Sequence, residues 1–194
     1  PQAGELIIGG IKVNPKNIKA VRKKVGLIFQ NADDQLFMPT LFDDVAFGLL
    51  QCGVEGDELI ARVRKALADR GMGELGGKFP GHLSGGQKRL AALASVLVME
   101  PEVLVLDEPS SDLDPRARRD LINQLDAPSN TRIIAGHDLE MVLDLCSRVL
   151  VLSEARLVAE GDPAEVLGNA ELMESNGLEV PHSLMRYRHE HIPF

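Results

Sequence analysis

Cysteine is scarce in this 194-residue sequence: Cys52 and Cys146 lie far apart and form no C-x-x-C pair. That spacing fits a reducing, cytosolic compartment, with both thiols acting as small core residues. No apolar run approaches the ~20 residues a membrane-crossing helix needs, and no signal-peptide pattern is visible. Any membrane role would therefore run through a partner. No basic block is present and the formal net charge is -8, so nucleic-acid binding has no electrostatic support. The initiator Met is missing as well. Pro1-Gln2-Ala3-Gly4 reads as a turn leading into a strand, so the sequence is expected to be a fragment or the ordered part of a longer chain. Finally, no G-x-x-x-x-G-K-[ST] phosphate loop occurs anywhere.

With 44% hydrophobic and 26% charged residues, the chain can bury a core and stay soluble, as one large domain or a domain with a subdomain. Two stretches organise it. Leu83-Ser84-Gly85-Gly86-Gln87 is a glycine-paired turn that opens an apolar-periodic segment, predicted as a helix over 89–99. Such a turn presents free backbone N–H groups to an anion. Val103-Leu104-Val105-Leu106 is a run of strand formers ending in Asp107 and Glu108. A carboxylate at the end of a buried strand suits a hard divalent cation beside phosphate oxygens. Together they point to a nucleoside triphosphate and magnesium.

The rest of the chain alternates strands with helices. Glu5–Ile8 and Ile11–Val13 flank Gly9-Gly10 as a hairpin. Val25–Phe29 reads as a buried strand ending at Gln30, followed by a loop through Gln35. Thr40 caps a predicted helix in which Asp43 and Asp44 occupy the first turn, where negative charge suits the dipole. A second, amphipathic helix is predicted over 57–70, and 71–80 is glycine-rich and loop-like. Further helices are expected from Pro115, over 139–146 and from Pro163, with strands at 131–135, 149–152 and 156–160. The alternation implies an α/β fold with a mostly parallel sheet covered by helices on both faces. Ligands gather at the carboxyl ends of such strands. Gln30, Asp107, Glu108 and His137 each follow a predicted strand, which would bring four distant residues to one rim.

Each of these residues has a chemical and a structural reading. Asp107 would hold magnesium directly or through water, and Glu108 would orient an attacking water or accept its proton; alternatively the two are surface carboxylates opening a turn before Pro109. Gln30 could ligate magnesium or hold the water through its amide oxygen. His137 could hydrogen-bond a γ-phosphate, although a lone histidine is more often structural. Asp112-Leu113-Asp114-Pro115 fits a helix cap. His182, His189 and His191 cluster near the end; His189-Glu190-His191 could bind a transition metal, but the spacing matches no closed site and a solvated tail accounts for it.

Taken in order, these motifs resemble those of the ATP-binding-cassette (ABC) ATPases. Ser84-Gly85-Gly86-Gln87 looks like the signature motif, Val103 to Glu108 like the Walker B strand with its catalytic glutamate, and Gln30 like the Q-loop. Ser110 to Asp114 matches the D-loop and His137 the switch histidine. Gln30–Phe37 with Asp44–Gly48 resembles the ATPase subunits of energy-coupling-factor importers, especially the cobalt and nickel branch. The resemblance implies a nucleotide-binding fold over 1–41, an inserted helical subdomain over 42–81, the signature helix and remaining α/β part over 82–168, and a tail over 169–194. It implies ATP and Mg2+ as cofactors, with Glu108 and His137 catalytic. Gln30, Ser84, Gly85, Gly86, Gln87 and Asp114 would meet the nucleotide, and Asp107 and Gln30 the metal. It also implies a head-to-tail dimer with a second ATPase subunit, transmembrane transporter subunits as partners, no nucleic acid, and a place at the cytoplasmic face of the cell membrane.

The sequence departs from the family pattern at two points. The phosphate-loop lysine is missing, so the polypeptide as written is expected to bind ATP poorly and hydrolyse none. Ser110-Ser111-Asp112 replaces the small residues usual in the D-loop, adding a negative charge near the expected interface. Two other classes stay open: a cassette-like interaction module without a phosphate loop, and a soluble ABC ATPase of DNA repair or translation. Intact Glu108 and His137 argue against the first. The acidic balance and the loop after Gln30 argue against the second.

Overall fold

Gly9 and Gly10 both sit in the left-handed backbone region, with φ of +52° and +75°. This lets them close the antiparallel hairpin of β1 (Ile7–Ile8) and β2 (Ile11–Lys12). The structure is a computed structural model that describes residues 4–126 and 131–185. The chain forms two compact units, residues 1–136 and 137–194.

In the first unit, α1 (Ile18–Lys24) precedes β3 (Val25–Ile28). Sequence reasoning did not foresee α1, because it buries only Val21 and shows little periodicity; Arg22, Lys23 and Lys24 in its last turn suit the helix dipole. The loop after β3 contains a 3-10 turn, Ala32–Asp34, capped by the Asn31 side chain. Then come α2 (Leu41–Gln51), capped by Thr40 as expected, α3 (Gly56–Ala68) and α4 (Gly85–Leu97). Between α3 and α4, the glycine-rich stretch carries two 3-10 turns, Gly73–Leu75 and Pro80–His82. Helices α2, α3 and α4 share one core built on Leu41, Val45, Leu49, Val63, Leu67 and Ala91. Burying these side chains stabilises the bundle by roughly 1.5–3 kcal/mol per large residue.

The strands β3, β4 (Val103–Asp107) and β5 (Thr131–Ala135) form a parallel sheet in the order β3-β4-β5. Its register pairs Ile28 with Leu106 and Asp107 with Ala135. Helix α5 (Pro115–Leu125) lies between β4 and β5 in the chain, with Asp114 as its cap. Gly26 explains how α4 seats on the sheet. A Cβ at this position would lie 2.3 Å from Val96 Cγ1, so only a bare Cα lets the helix come this close. Ile28, Leu104 and Leu106 are buried, whereas the alternate residues Leu27 and Ile133 are 43% and 55% exposed. These two flank Val105 in register, as one row.

The second unit begins with α6 (Leu139–Leu145), capped by Asp138. Strands β6 (Val149–Ser153) and β7 (Arg156–Gly161) pair antiparallel through Glu154 and Ala155, both left-handed. Next is α7 (Pro163–Leu167), with the predicted Asp162 cap and proline start. The tail expected from 169 onward carries a further helix, α8 (Ala170–Ser175), capped by Asn169. Val142, Leu167 and Met173 form the core of this unit. Glu140 holds the 3-10 turn His182–Leu184 by accepting from Ser183 N at 3.1 Å and Ser183 Oγ at 2.6 Å. These bonds lower the Glu140 pKa. His189 and His191, the proposed metal pair, lie outside the described residues. The cysteines correct one expectation: Cys52 is exposed and Cys146 only half-buried, so Cys52 is no core residue.

Candidate functional site

The glycine-paired turn is itself the first turn of α4, which starts four residues earlier than the periodicity suggested. A capping box explains the difference: Ser84 Oγ accepts from Gln87 N at 3.3 Å, and Gln87 Oε1 accepts from Ser84 N at 3.0 Å. This reciprocal pair carries the helix through Gly85 and Gly86. The N–H groups of those two glycines remain at the helix start, where no intrahelical acceptor exists. Ser84 and Gly85 are exposed, and a Cβ on Gly85 would meet nothing within 4 Å. Gly86 is different, because a Cβ there would lie 2.8 Å from Ala117 Cβ of α5. One glycine thus leaves its side of the helix start open, and the other lets α5 approach.

Gln30 follows β3 by two residues, and Asp107 ends the neighbouring parallel strand. Both are exposed, and the register places them at the same edge of the sheet. Glu108 comes next and is half-buried. Its N–H donates to Ala135 O at 2.8 Å, adding one bond beyond the last strand pair. Its φ of +43° lies in the left-handed region, which costs a non-glycine residue of the order of 1–3 kcal/mol and is tolerated mainly at functional sites. A Cβ on Gly136 would lie 3.4 Å from Glu108 Oε2. The Ser111 hydroxyl also donates to that oxygen, at 3.4 Å. After it, Ser111 N to Glu108 O and Leu113 N to Ser110 O close the turns of a short loop, in which Asp112 is left-handed at φ +61°. Asp114 Oδ1 then accepts from Arg116 N and Ala117 N, both at 2.9 Å. In this structure it is a helix cap, as its sequence position suggested.

His137 opens the second unit, two residues after β5, and its side chain is exposed. Three of the four rim residues, Gln30, Asp107 and Glu108, therefore share the first unit and its sheet edge.

Two further residues, both charged and buried, were not singled out as site residues from sequence, and one of them fixes the end of β3. Arg89 is 5% exposed and donates to Phe29 O at 2.7 Å and to Gln30 O. Burial lowers its pKa, and the charge of Asp112 partly offsets that. The available signal was its place at i, i+3, i+4 and i+7 with Ala92, Leu93 and Val96, all buried. Asp44 is 4% exposed. Rather than simply meeting the helix dipole, its Oδ1 accepts from Phe37 N and Met38 N, both at 3.0 Å. Burial, the largest influence, raises its pKa, and these two bonds only partly counter it.

The residues at the edge fit the cofactors the motifs imply. The Asp107 carboxylate and the Gln30 amide oxygen are hard oxygen donors of the kind magnesium takes. The open first turn of α4 offers two N–H groups to phosphate. Among the described residues no group of three or more His, Cys, Asp or Glu could hold a metal by itself.

A parallel α/β unit with an exposed helix start and a carboxylate pair at a strand end is the arrangement expected of a nucleotide-binding cassette of the ABC kind. The family profile described as "ABC transporter" matches residues 1–111. The chain is 46% identical over 181 residues to the energy-coupling factor transporter ATP-binding protein EcfA of Carboxydothermus hydrogenoformans, covering 92% of this chain and 67% of that protein. It is 42% identical over 186 residues to the EcfA protein of Methanothermobacter thermautotrophicus, covering 93% and 60%. Among solved structures, cbiO1 from Clostridium perfringens, described as part of the ABC transporter complex cbiONQ, matches with a TM-score of 0.78 at 35% identity. That match covers 95% of this chain and 76% of the other. The chain belongs to the ABC transporter family, as an ATP-binding subunit similar to EcfA and CbiO.

Proposed function

We propose that this protein is the ATP-hydrolysing subunit of an energy-coupling-factor-type importer, carrying cobalt or nickel ions, and that it works as a head-to-tail dimer. The observation that carries the reading is Glu108, held at the end of β4 in a left-handed conformation, with its carboxylate near Gly136 and the Ser111 hydroxyl. In the dimer, Ser84, Gly85 and Gly86 of one subunit face the γ-phosphate on the other, with the helix dipole adding to their donors. Asp107 and Gln30 would hold magnesium, which when bound would neutralise phosphate charge. Glu108 orients the attacking water and takes its proton, and His137 hydrogen-bonds the γ-phosphate. Asp114 caps α5 at the subunit boundary, and Gln87 braces the signature turn.

Transmembrane subunits are the expected partners, and the protein sits peripherally at the cytoplasmic face of the membrane. No helix among the described residues is long and apolar enough to cross a bilayer. Phe37, 63% exposed, stacks edge-on against Phe47 with ring centroids 5.2 Å apart. This aromatic pair beside the Gln30 loop supports the docking of a partner's coupling helix there.

The test is ATP turnover by the complete protein with a phosphate loop. Glu108→Gln should lower kcat by roughly 10²–10⁴-fold, the usual worth of a general base. Unchanged turnover would overturn the assignment. The 194-residue polypeptide alone should show none, since it has no phosphate-loop lysine. Co-purification with a membrane protein separates the importer from a soluble ABC ATPase.

A further inference from the structure

We propose that Arg89 is a positioning residue that locks the Gln30 loop to the helix carrying the signature turn, so that the two move as one piece. Arg89 lies one turn into α4, three residues after Gly86. Its guanidinium crosses to the end of β3 and donates to two successive carbonyl oxygens, Phe29 O and Gln30 O. A planar fork can reach both at once, whereas a lysine ammonium is a single point. A guanidinium this buried is costly unless its donors are satisfied. Here they are spent on backbone carbonyls, not on a carboxylate, and Nε is buried with no hydrogen-bond partner.

Two other attachments reinforce the same joint. Gln35 Oε1 accepts from Phe29 N at 3.3 Å, while its Nε2 donates to Ala92 O of α4 at 2.8 Å. Phe29, the residue just before Gln30, therefore has its N–H and its C=O both tied, directly or through Gln35, to α4. On the same turn of α4, Lys88 pairs with Asp33 at 2.6 Å. The negative charge of Asp112, the unusual residue of the D-loop, also acts on Arg89. Arg89 thus stands where the signature helix and the Gln30 loop meet. The attachment itself is independent of the ATPase reading, but its effect on turnover rests on that reading.

The test has two parts. Hydrogen exchange is measured on this chain for the unsubstituted protein, Arg89→Lys, Arg89→Met and a control, Arg62→Met. The control removes another guanidinium that donates to a carbonyl of the α4 region, Val98 O at 2.8 Å. Both Arg89 variants should speed exchange of the amides of residues 29–36 about tenfold or more, with α2, α3 and β4 unchanged. Arg62→Met should leave 29–36 as it was. Unaltered exchange at 29–36, or a uniform rise across the whole unit, would overturn the proposal. Arg89→Lys keeps the charge, so it covers the case in which Arg89→Met does not fold. In the complete protein, Arg89→Lys should lower kcat roughly 10- to 100-fold, the cost of a small misplacement of catalytic groups, with KM for ATP-Mg within about twofold. If the unsubstituted complete protein hydrolyses no ATP, the ATPase reading fails, while the exchange experiment still decides the role of Arg89.

Discussion

Gly26→Ala tests the closest approach in the nucleotide unit. A methyl placed on Gly26 would lie 2.3 Å from Val96 Cγ1 and 3.0 Å from Pro101 Cγ. Carbon atoms in contact prefer about 3.5–4.0 Å, so the overlap with Val96 exceeds an ångström. Val96 is 6% exposed and β-branched, so it has few rotamers to retreat into. Overpacking of this kind costs about 1–3 kcal/mol. The substitution regains about 0.4–1 kcal/mol by restricting the unfolded chain, because the conformation of Gly26 is an ordinary strand one. The net loss should be about 1–2 kcal/mol, or roughly 2–8 °C in Tm for a chain of this size. The assay is a double-mutant cycle by urea or thermal unfolding with Val96→Ala. Val96→Ala alone should also destabilise, by about 1–2 kcal/mol of lost burial. The two together should fall short of the sum by about 1 kcal/mol or more, because the second change makes room for the first. Strict additivity, within the roughly 0.5 kcal/mol found for independent sites, would refute the steric argument.

Asp44 should give stability a distinctive pH dependence. Its folded pKa is raised above 3.8, chiefly by burial, so its contribution is complete below that unfolded value and is lost as pH rises through the higher folded value. Asp44→Asn should remove this dependence, and urea midpoints at pH 4 and pH 7 for both proteins would show it. Asp44→Ala should cost about 1–3 kcal/mol, more at pH 4 than at pH 7, because it leaves the Phe37 and Met38 amides without their acceptor. Asp114→Ala should destabilise by about 1 kcal/mol through loss of the α5 cap, whereas Asp114→Asn, which keeps the acceptor, should stay within a few tenths by chemical denaturation.

Local features were legible in the sequence. Thr40, Asp114 and Asp162 were readable as caps because a cap involves only the next three residues. The strands at Val25, Val103 and Thr131 were readable from short apolar runs, and their parallel pairing followed from the intervening helices. The start of α4 was also local, but two glycines disguised the S-x-x-Q box that carries the helix through them. The partners of Arg89, Asp44 and Gln35 were beyond reach, because each acts on backbone groups brought near by the fold. A carboxylate in a first helical turn looks like a dipole partner until the Phe37–Met38 turn is seen to pass over it. A cation after a glycine turn looks like solvent-facing charge until the end of β3 is found beneath it. Helix α1 escaped because seven residues with one buried side chain leave almost no pattern.

The pairing of β3 with β4 has a consequence in time. Lys24 and Glu102, whose side chains pair at the entrance to these strands, are 78 residues apart in the chain. Contacts of such long sequence separation form late, because loop-closure entropy must be met before they are rewarded. The helices α2, α3 and α4, which lie inside that loop and share their own core, are expected to assemble first. During synthesis β3 would then emerge early and wait, its Leu27 and Ile28 without a neighbouring strand, until β4 leaves the ribosome. The strand end that will hold Gln30 is thus made before β4 and completed only with it.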